Sequence, residues 1–206
     1  MKKIFTAIVA MMLAVPSFAQ YSSGGFELDK ENLYYGVRFG LTVANLGGDI
    51  DKDSHIDTGA KTGLTLAGVV GLRLSETTPV FLESGLYYTQ RGGKNVSYNN
   101  MEIPLLIKYG IKATDDIAVL PFVGPYIARA CWGEAKLVDG SKVGTFDEDK
   151  WSALERVNWG FKIGCGAEYN MLYLEVGYQI GVNDISKNGN YTAHSNAFFA
   201  NFGVNF

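Results

Sequence analysis

The residues able to do chemistry in this chain are mostly charges set between apolar neighbours. Arg38, Arg73, Lys108 and Lys162 fall on the same parity as a series of glycines, and so do Glu83, Glu102, Glu168 and Glu175. Arg91 has this parity too, near the far end of its segment. A single-sign ring would suit an ion-selective pore, whereas four cations against four anions suit mutual pairing. Charge held close to lipid is costly unless paired, so these groups are expected to face a shared interior. A second candidate is Asp49, Asp51, Asp53 and Asp57, whose spacing could converge carboxylate oxygens on Ca²⁺. The match to an EF-hand loop fails twice: Ser54 stands where the tight-turn glycine belongs and Ala60 where the bidentate glutamate belongs. A solvated acidic loop is the better reading, and no metal or cofactor is assigned. Ser54-His55 and His194-Ser195 pair a hydroxyl with an imidazole in sequence. A nucleophile and its base must lie within hydrogen-bond reach, and adjacent residues on a strand point apart. No catalytic residue is therefore assigned, and a hydrolase built on these loops ranks behind non-enzymatic roles.

These residues need elements to position them. Eight stretches alternate apolar and polar residues at period two: 34–46, 62–74, 80–91, 98–111, 117–132, 157–169, 172–183 and 196–206. The seventh is the cleanest. It sets Leu172, Leu174, Val176, Tyr178 and Ile180 against Tyr173, Glu175, Gly177, Gln179 and Gly181. The fifth is blurred by Pro121 and Pro125, and a bulge is expected there. A soluble barrel would turn the apolar face inward; a membrane barrel would turn it to lipid. The polar face decides, because many of the 25 glycines lie on it. A solvent face gains nothing from missing side chains, but a narrow eight-strand interior does. The expected fold is an all-β, eight-stranded antiparallel up-and-down transmembrane barrel. Tyr35, Tyr88, Tyr109, Trp132, Trp159 and Tyr169 sit where interfacial girdles would be. Cys131 and Cys165 are expected to stand too far apart along their strands for a disulfide.

Residues 1–19 have the pattern of a secretory signal: Lys2 and Lys3, an apolar run to Val15, then Ser17-Phe18-Ala19, with cleavage expected between Ala19 and Gln20. Residues 20–33 would form a short periplasmic arm, and 34–206 the barrel. Removing the two lysines takes the formal net charge from −3 to −5, which with a pI of about 5.4 argues against a nucleic-acid partner. Connections 47–61, 92–97, 133–156 and 184–195 are longer than those between them, so the four are expected outside the cell with both ends in the periplasm. The longest, 133–156, is the expected site for a protein partner and contains a possible short hairpin around 138–143.

The segment Glu102-Ile103-Pro104-Leu105-Leu106-Ile107-Lys108-Tyr109 resembles the E-I-P-L-L-L-K-Y segment of the PorT-type outer-membrane barrels, the small "porin family" barrels of Bacteroidetes. Gly36 to Leu41, Leu86 to Gly92 and Gly124-Pro125-Tyr126 resemble other strands of that family. The resemblance implies an outer-membrane location among outer-membrane lipid and, for the namesake, a part in type IX protein secretion. Phe202, Val204 and Phe206 on the final strand resemble the signal read by the barrel-assembly machinery. The expected function is a non-enzymatic outer-membrane barrel with a filled lumen, serving the envelope or surface contacts through its outer loops. A transport-class role, as secretion accessory or narrow porin, is the alternative.

Overall fold

A computed structural model describes residues 32–47, 59–92, 96–136, 142–144, 155–185 and 194–206. Alternation at period two gives strands throughout: β1 (Leu33–Gly47), β2 (Lys61–Arg73), β3 (Val80–Gly92), β4 (Val96–Tyr109), β5 (Ile111–Lys112), β6 (Ile117–Lys136), β7 (Lys142–Gly144), β8 (Val157–Tyr169), β9 (Leu172–Gly181) and β10 (His194–Asn205). Two are accessory: β5 continues β4 past Gly110, and β7 folds back on the end of β6. The other eight are antiparallel staves, and pairing of β1 with β10 and of β4 with β6 closes the ring. No helix among the described residues is long and apolar enough to cross a membrane, so any crossing uses strands.

The register fixes the width of the barrel. One circuit runs Leu33, Leu72, Leu82, Ile107, Val123, Ile163, Tyr178, Phe198 and back to β1 at Val43, ten residues beyond its start. With ~3.3 Å per residue and ~4.8 Å between strands, this offset tilts the staves by about 41°. Every member of that circuit is apolar and points outward. The alternate residues point in, so β9 exposes Leu172, Leu174, Val176, Tyr178 and Ile180 and buries Tyr173, Glu175, Gly177, Gln179 and Gly181. Tyr35, Tyr109 and Tyr169 are exposed near the rim that carries both chain ends; Trp132 and Trp159 are exposed towards the opposite rim, with Tyr88 half-buried against Trp132 at 6.0 Å. Two aromatic belts thus frame the apolar band.

Local chemistry sets the ends and irregularities. The β8–β9 turn is two residues long, and Asn170 takes the left-handed conformation it needs (φ 54°). The bulge expected in the fifth segment is present, at Cys131 rather than beside either proline. Asn99 faces Trp132 and Asn100 faces Ala130, leaving Cys131 as the extra residue. The prolines instead interrupt the ladder without shifting it. Partnering lapses beside Pro104 and Pro125, which have no N–H to give, and the Ser84 hydroxyl donates to the Pro104 carbonyl at 2.8 Å. The β3–β4 connection also differs from expectation. Pairing continues to Gly92 opposite Ser97, leaving only residues 93–95 between the strands, fewer than the 74–79 connection at the other rim.

Candidate functional site

The inward faces meet in a lumen filled by side chains. Its charged residues fall into two groups, and none is more than 4% exposed. In the group nearer the chain ends, Glu83 of β3 is the hub. Its Oε1 is 2.8 Å from Lys108 Nζ, and its Oε2 is 3.3 Å from Arg38 Nη2 and accepts from the Tyr34 hydroxyl at 2.7 Å. Lys108 also donates to Tyr173 Oη at 2.7 Å and lies 3.9 Å from Glu175. Arg38 stacks over the Tyr173 ring, 4.0 Å from its centroid. Asn201 and Asn205 donate to Glu175 and Glu168 at 2.8 and 2.9 Å.

In the second group Glu102 of β4 is the hub. It is 2.6 Å from Arg91 Nη2, pairs with Lys162 Nζ, and accepts from Gln179 Nε2 at 3.0 Å. Arg91 also donates to Gln179. Between the groups lies an apolar layer of Leu106, Phe122 and Phe199, the two rings stacked 6.3 Å apart. Lys108 faces this layer from one side (5.4 Å from the Phe122 ring) and Lys162 from the other (5.0 Å from Phe199). Further towards the rim opposite the chain ends, Tyr98 and Ser195 hydrogen-bond at 2.9 Å across the lumen, and Tyr126 donates to Asn158 at 3.3 Å.

Glycine makes this filling possible. Large inward rings lie flat against glycines of neighbouring strands: Tyr34 on Gly71, Tyr173 on Gly166 and Phe199 on Gly177. A Cβ at Gly166 would stand 2.6 Å from Tyr173 Cζ, and one at Gly177 2.5 Å from Phe199 Cζ. A barrel this narrow can hold bulky side chains only where the facing position is empty.

Seven of the eight charges singled out by parity lie in the lumen. Arg73 does not join them. It is the last residue of β2, where the chain leaves the wall, and it is only half-buried. Its guanidinium donates to the carbonyls of Ser75 and Glu76 in the turn, at 2.7 and 3.4 Å. Arg91 takes the fourth cationic place, so four buried cations still face four buried anions among the described residues. Four inward tyrosines, Tyr34, Tyr87, Tyr98 and Tyr126, were missed by assigning aromatics to the lipid face and its borders, whereas Tyr173, set on the polar face by its parity with Glu175, is buried there as expected. The parity of the four with Gly36, Glu83, Asn100 and Gly124 was the available signal.

The Ser–His candidate is not assembled at residues 194–195. Ser195 points inward to Tyr98, whereas His194 Nδ1 lies 3.2 Å from the Asn183 carbonyl. Cys131 and Cys165 are free, and Cys165 faces Pro121, ten positions from Cys131 along β6. Part of the expected hairpin in the longest loop is β7, whose residues 142–144 pair with 134–136. Asp49, Asp51, Asp53, Asp57, Ser54, His55 and the Ala19–Gln20 junction lie outside the described residues.

A closed ring of eight tilted strands, apolar outside and polar within, defines the class of small integral outer-membrane β-barrels. The chain belongs to the outer membrane protein beta-barrel domain family, whose model matches residues 5–206. It is an outer-membrane protein. No curated protein sequence matches it. Among solved structures it is similar to NspA, a Neisserial surface protein, with TM-score 0.48 and 16% identity over 85% of this chain and 98% of that one. Similarity extends to Ail, the attachment invasion locus protein of Yersinia pestis (TM-score 0.42, 10% identity, 85% and 100% covered). OprG from Pseudomonas aeruginosa is a third (TM-score 0.40, 14% identity, 88% and 99% covered).

Proposed function

We propose that this protein is a non-enzymatic, non-conducting outer-membrane barrel that presents its outer loops, chiefly 133–156, for envelope-structural or surface contacts. The observation that carries the reading is the filled lumen: two groups of buried ion pairs, balanced only when taken together, on either side of the Leu106–Phe122–Phe199 layer. Opening a path would strip paired charges of partners in a low-dielectric interior, at about 3–5 kcal/mol for each broken pair. In this reading the rim with both chain ends faces the periplasm, residues 1–19 are removed at Ala19–Gln20, and Phe202, Val204 and Phe206 engage the assembly machinery. The purified barrel should give no steady current in planar bilayers, and large steady openings would overturn the closed lumen. A tag in loop 133–156 should retrieve a surface partner from intact cells.

The segment from Glu102 to Tyr109 supports a second reading, as a PorT-type barrel of Bacteroidetes with a part in type IX secretion. It supplies both Glu102 and Lys108, members of the two lumen groups. Loss of secreted protein on gene deletion, with the barrel itself non-conducting, would favour this role over the surface one.

A further inference from the structure

We propose that the lumen, at the end away from the chain termini, holds a binding site for one monovalent anion of halide size, chloride in practice, between Asn100 and Asn158. The two lumen charge groups are unequal. Among the described residues, Glu83, Glu168 and Glu175 outnumber Arg38 and Lys108 by one, and Arg91 and Lys162 outnumber Glu102 by one. The half towards the rim opposite the chain ends therefore carries one uncompensated positive charge. Donors without acceptors gather in the same half. Among the described residues, the buried side-chain nitrogens left without an acceptor are Arg91 Nε and Nη1, Asn100 Nδ2, Asn158 Nδ2 and, in the other half, Arg38 Nε. A buried donor with no acceptor is destabilising, and an uncompensated buried cation more so.

The strands bring two of these donors to one cavity. Asn100 of β4 faces Ala130 of β6, and Ala128 of β6 faces Asn158 of β8, so the two amides flank one strand, two residues apart along it. The small Ala130 side chain leaves room beside them, and the cavity there measures about 10 Å³. That admits one guest of about the size of a water molecule. Asn100 and Asn158 are 2% and 5% exposed. Asn158 Oδ1 accepts from the Tyr126 hydroxyl at 3.3 Å, so Nδ2 is the end left for a guest. Tyr98 lines the same cavity, and its register partner on β3 is Arg91, whose guanidinium lies 5.9 Å from the Tyr126 ring. Ile185, itself buried, lines it from beyond β9. Glu155 and Arg156, exposed at its border, offset one another in charge. Water would accept from both amides but leave the positive charge uncompensated. Sulfate and phosphate are too large for the space. A halide accepts from every donor, needs no acceptor of its own and cancels the charge.

The site rests on the closed-lumen reading, and the test separates the two. The full-length barrel in lipid vesicles is held at fixed urea while chloride replaces gluconate at constant ionic strength. Going from no chloride to about 300 mM should raise the ratio of folded to unfolded protein about tenfold, as one site of ~30 mM affinity gives. Heat-shifted gel mobility reads that ratio. Crystals soaked in bromide should show an anomalous peak between Asn100 and Asn158. Asn158→Asp keeps the acceptor for Tyr126 and sets a fixed negative charge in the site, so its ratio should change less than about twofold with chloride. Asn100→Asp serves the same purpose if Asn158→Asp gives no heat-shifted, folded band. Lys112→Gln removes an exposed cation near the rim with the chain ends and should respond to chloride as wild type does. Chloride-independent folding of wild type would overturn the site, and a bromide peak would then mark an adventitious ion only. An equal chloride response in wild type and Asn158→Asp would overturn it too. After either result, a barrel without steady current leaves the closed lumen standing, whereas steady openings would overturn both.

Discussion

Replacing Glu102 by Gln tests the lumen pairing at its most loaded point. Glu102 is fully buried and serves two cations, Arg91 at 2.6 Å and Lys162, besides Gln179 at 3.0 Å. The amide has nearly the same shape but no charge, so both cations stay buried without an anion. Removing one member of a buried pair costs about 3–5 kcal/mol, and here two cations lose the same partner, so about 4 kcal/mol is a modest expectation. With a urea m-value of ~2 kcal/mol/M, the unfolding midpoint should fall by about 2 M. Reversible unfolding in lipid vesicles, followed by tryptophan fluorescence and heat-shifted gel mobility, measures this. Glu168→Gln is the internal comparison. Its carboxylate accepts from the neutral Asn205 amide, a bond that Gln can keep, and its loss should be under about 1 kcal/mol. Replacing the whole Arg91–Glu102–Lys162 group by Met, Leu and Met should recover most of the stability, because apolar replacement of a buried ion group is neutral or stabilising. Equal losses from Glu102→Gln and Glu168→Gln, or a Glu102→Gln shift under ~0.5 M, would refute the picture of charges sealed from water.

Other perturbations address separate parts of the structure. Tyr173→Phe removes the hydroxyl that accepts from Lys108 at 2.7 Å and should cost about 1.5–3 kcal/mol in the same unfolding assay. Gly160→Val should reduce the heat-shifted folded fraction severely, because its Cβ would meet the Ile180 backbone, with the carbonyl carbon at 2.9 Å. Cys165 lies exposed on the lipid face and should react with a membrane-soluble maleimide but not with a charged one in intact membranes. Deleting Phe206 should lower the amount of assembled barrel in the outer membrane, measured by blotting membrane fractions; unchanged levels would count against its role as an assembly signal.

The eight staves were legible because period-two alternation is a property of each strand alone. β9 and β8 show it without a break, and their faces follow from parity. The third dimension was not legible. Glu102 and Lys162 stand on β4 and β8, either side of β6, and meet because of the register among these three strands, a quantity that no single strand encodes. Arg73 and Arg91 show the same limit at the strand ends. Both have inward parity, but Arg73 sits at the last residue of β2 and turns to the carbonyls beyond it, while Arg91 still pairs with Tyr98 of β4. The inward tyrosines reveal a bias in counting residues by type. A Tyr that reads as a lipid-facing aromatic lies in the lumen when a neighbour at i±2 on the strand is Gly or Glu, as at Tyr34 and Tyr87.

The most direct test of the account is a single-cysteine scan along β9, from Leu172 to Gly181 in a Cys131→Ser, Cys165→Ser background, using an environment-sensitive fluorophore and lipid-borne quenchers in vesicles. Labels at positions 172, 174, 176, 178 and 180 should emit as in hydrocarbon and be quenched by the lipid-borne reagent. Sites 173, 175, 177, 179 and 181 should label poorly while the barrel is folded and escape that quenching. The opposite alternation, or none, would contradict a barrel with its apolar face in lipid and its charges sealed within.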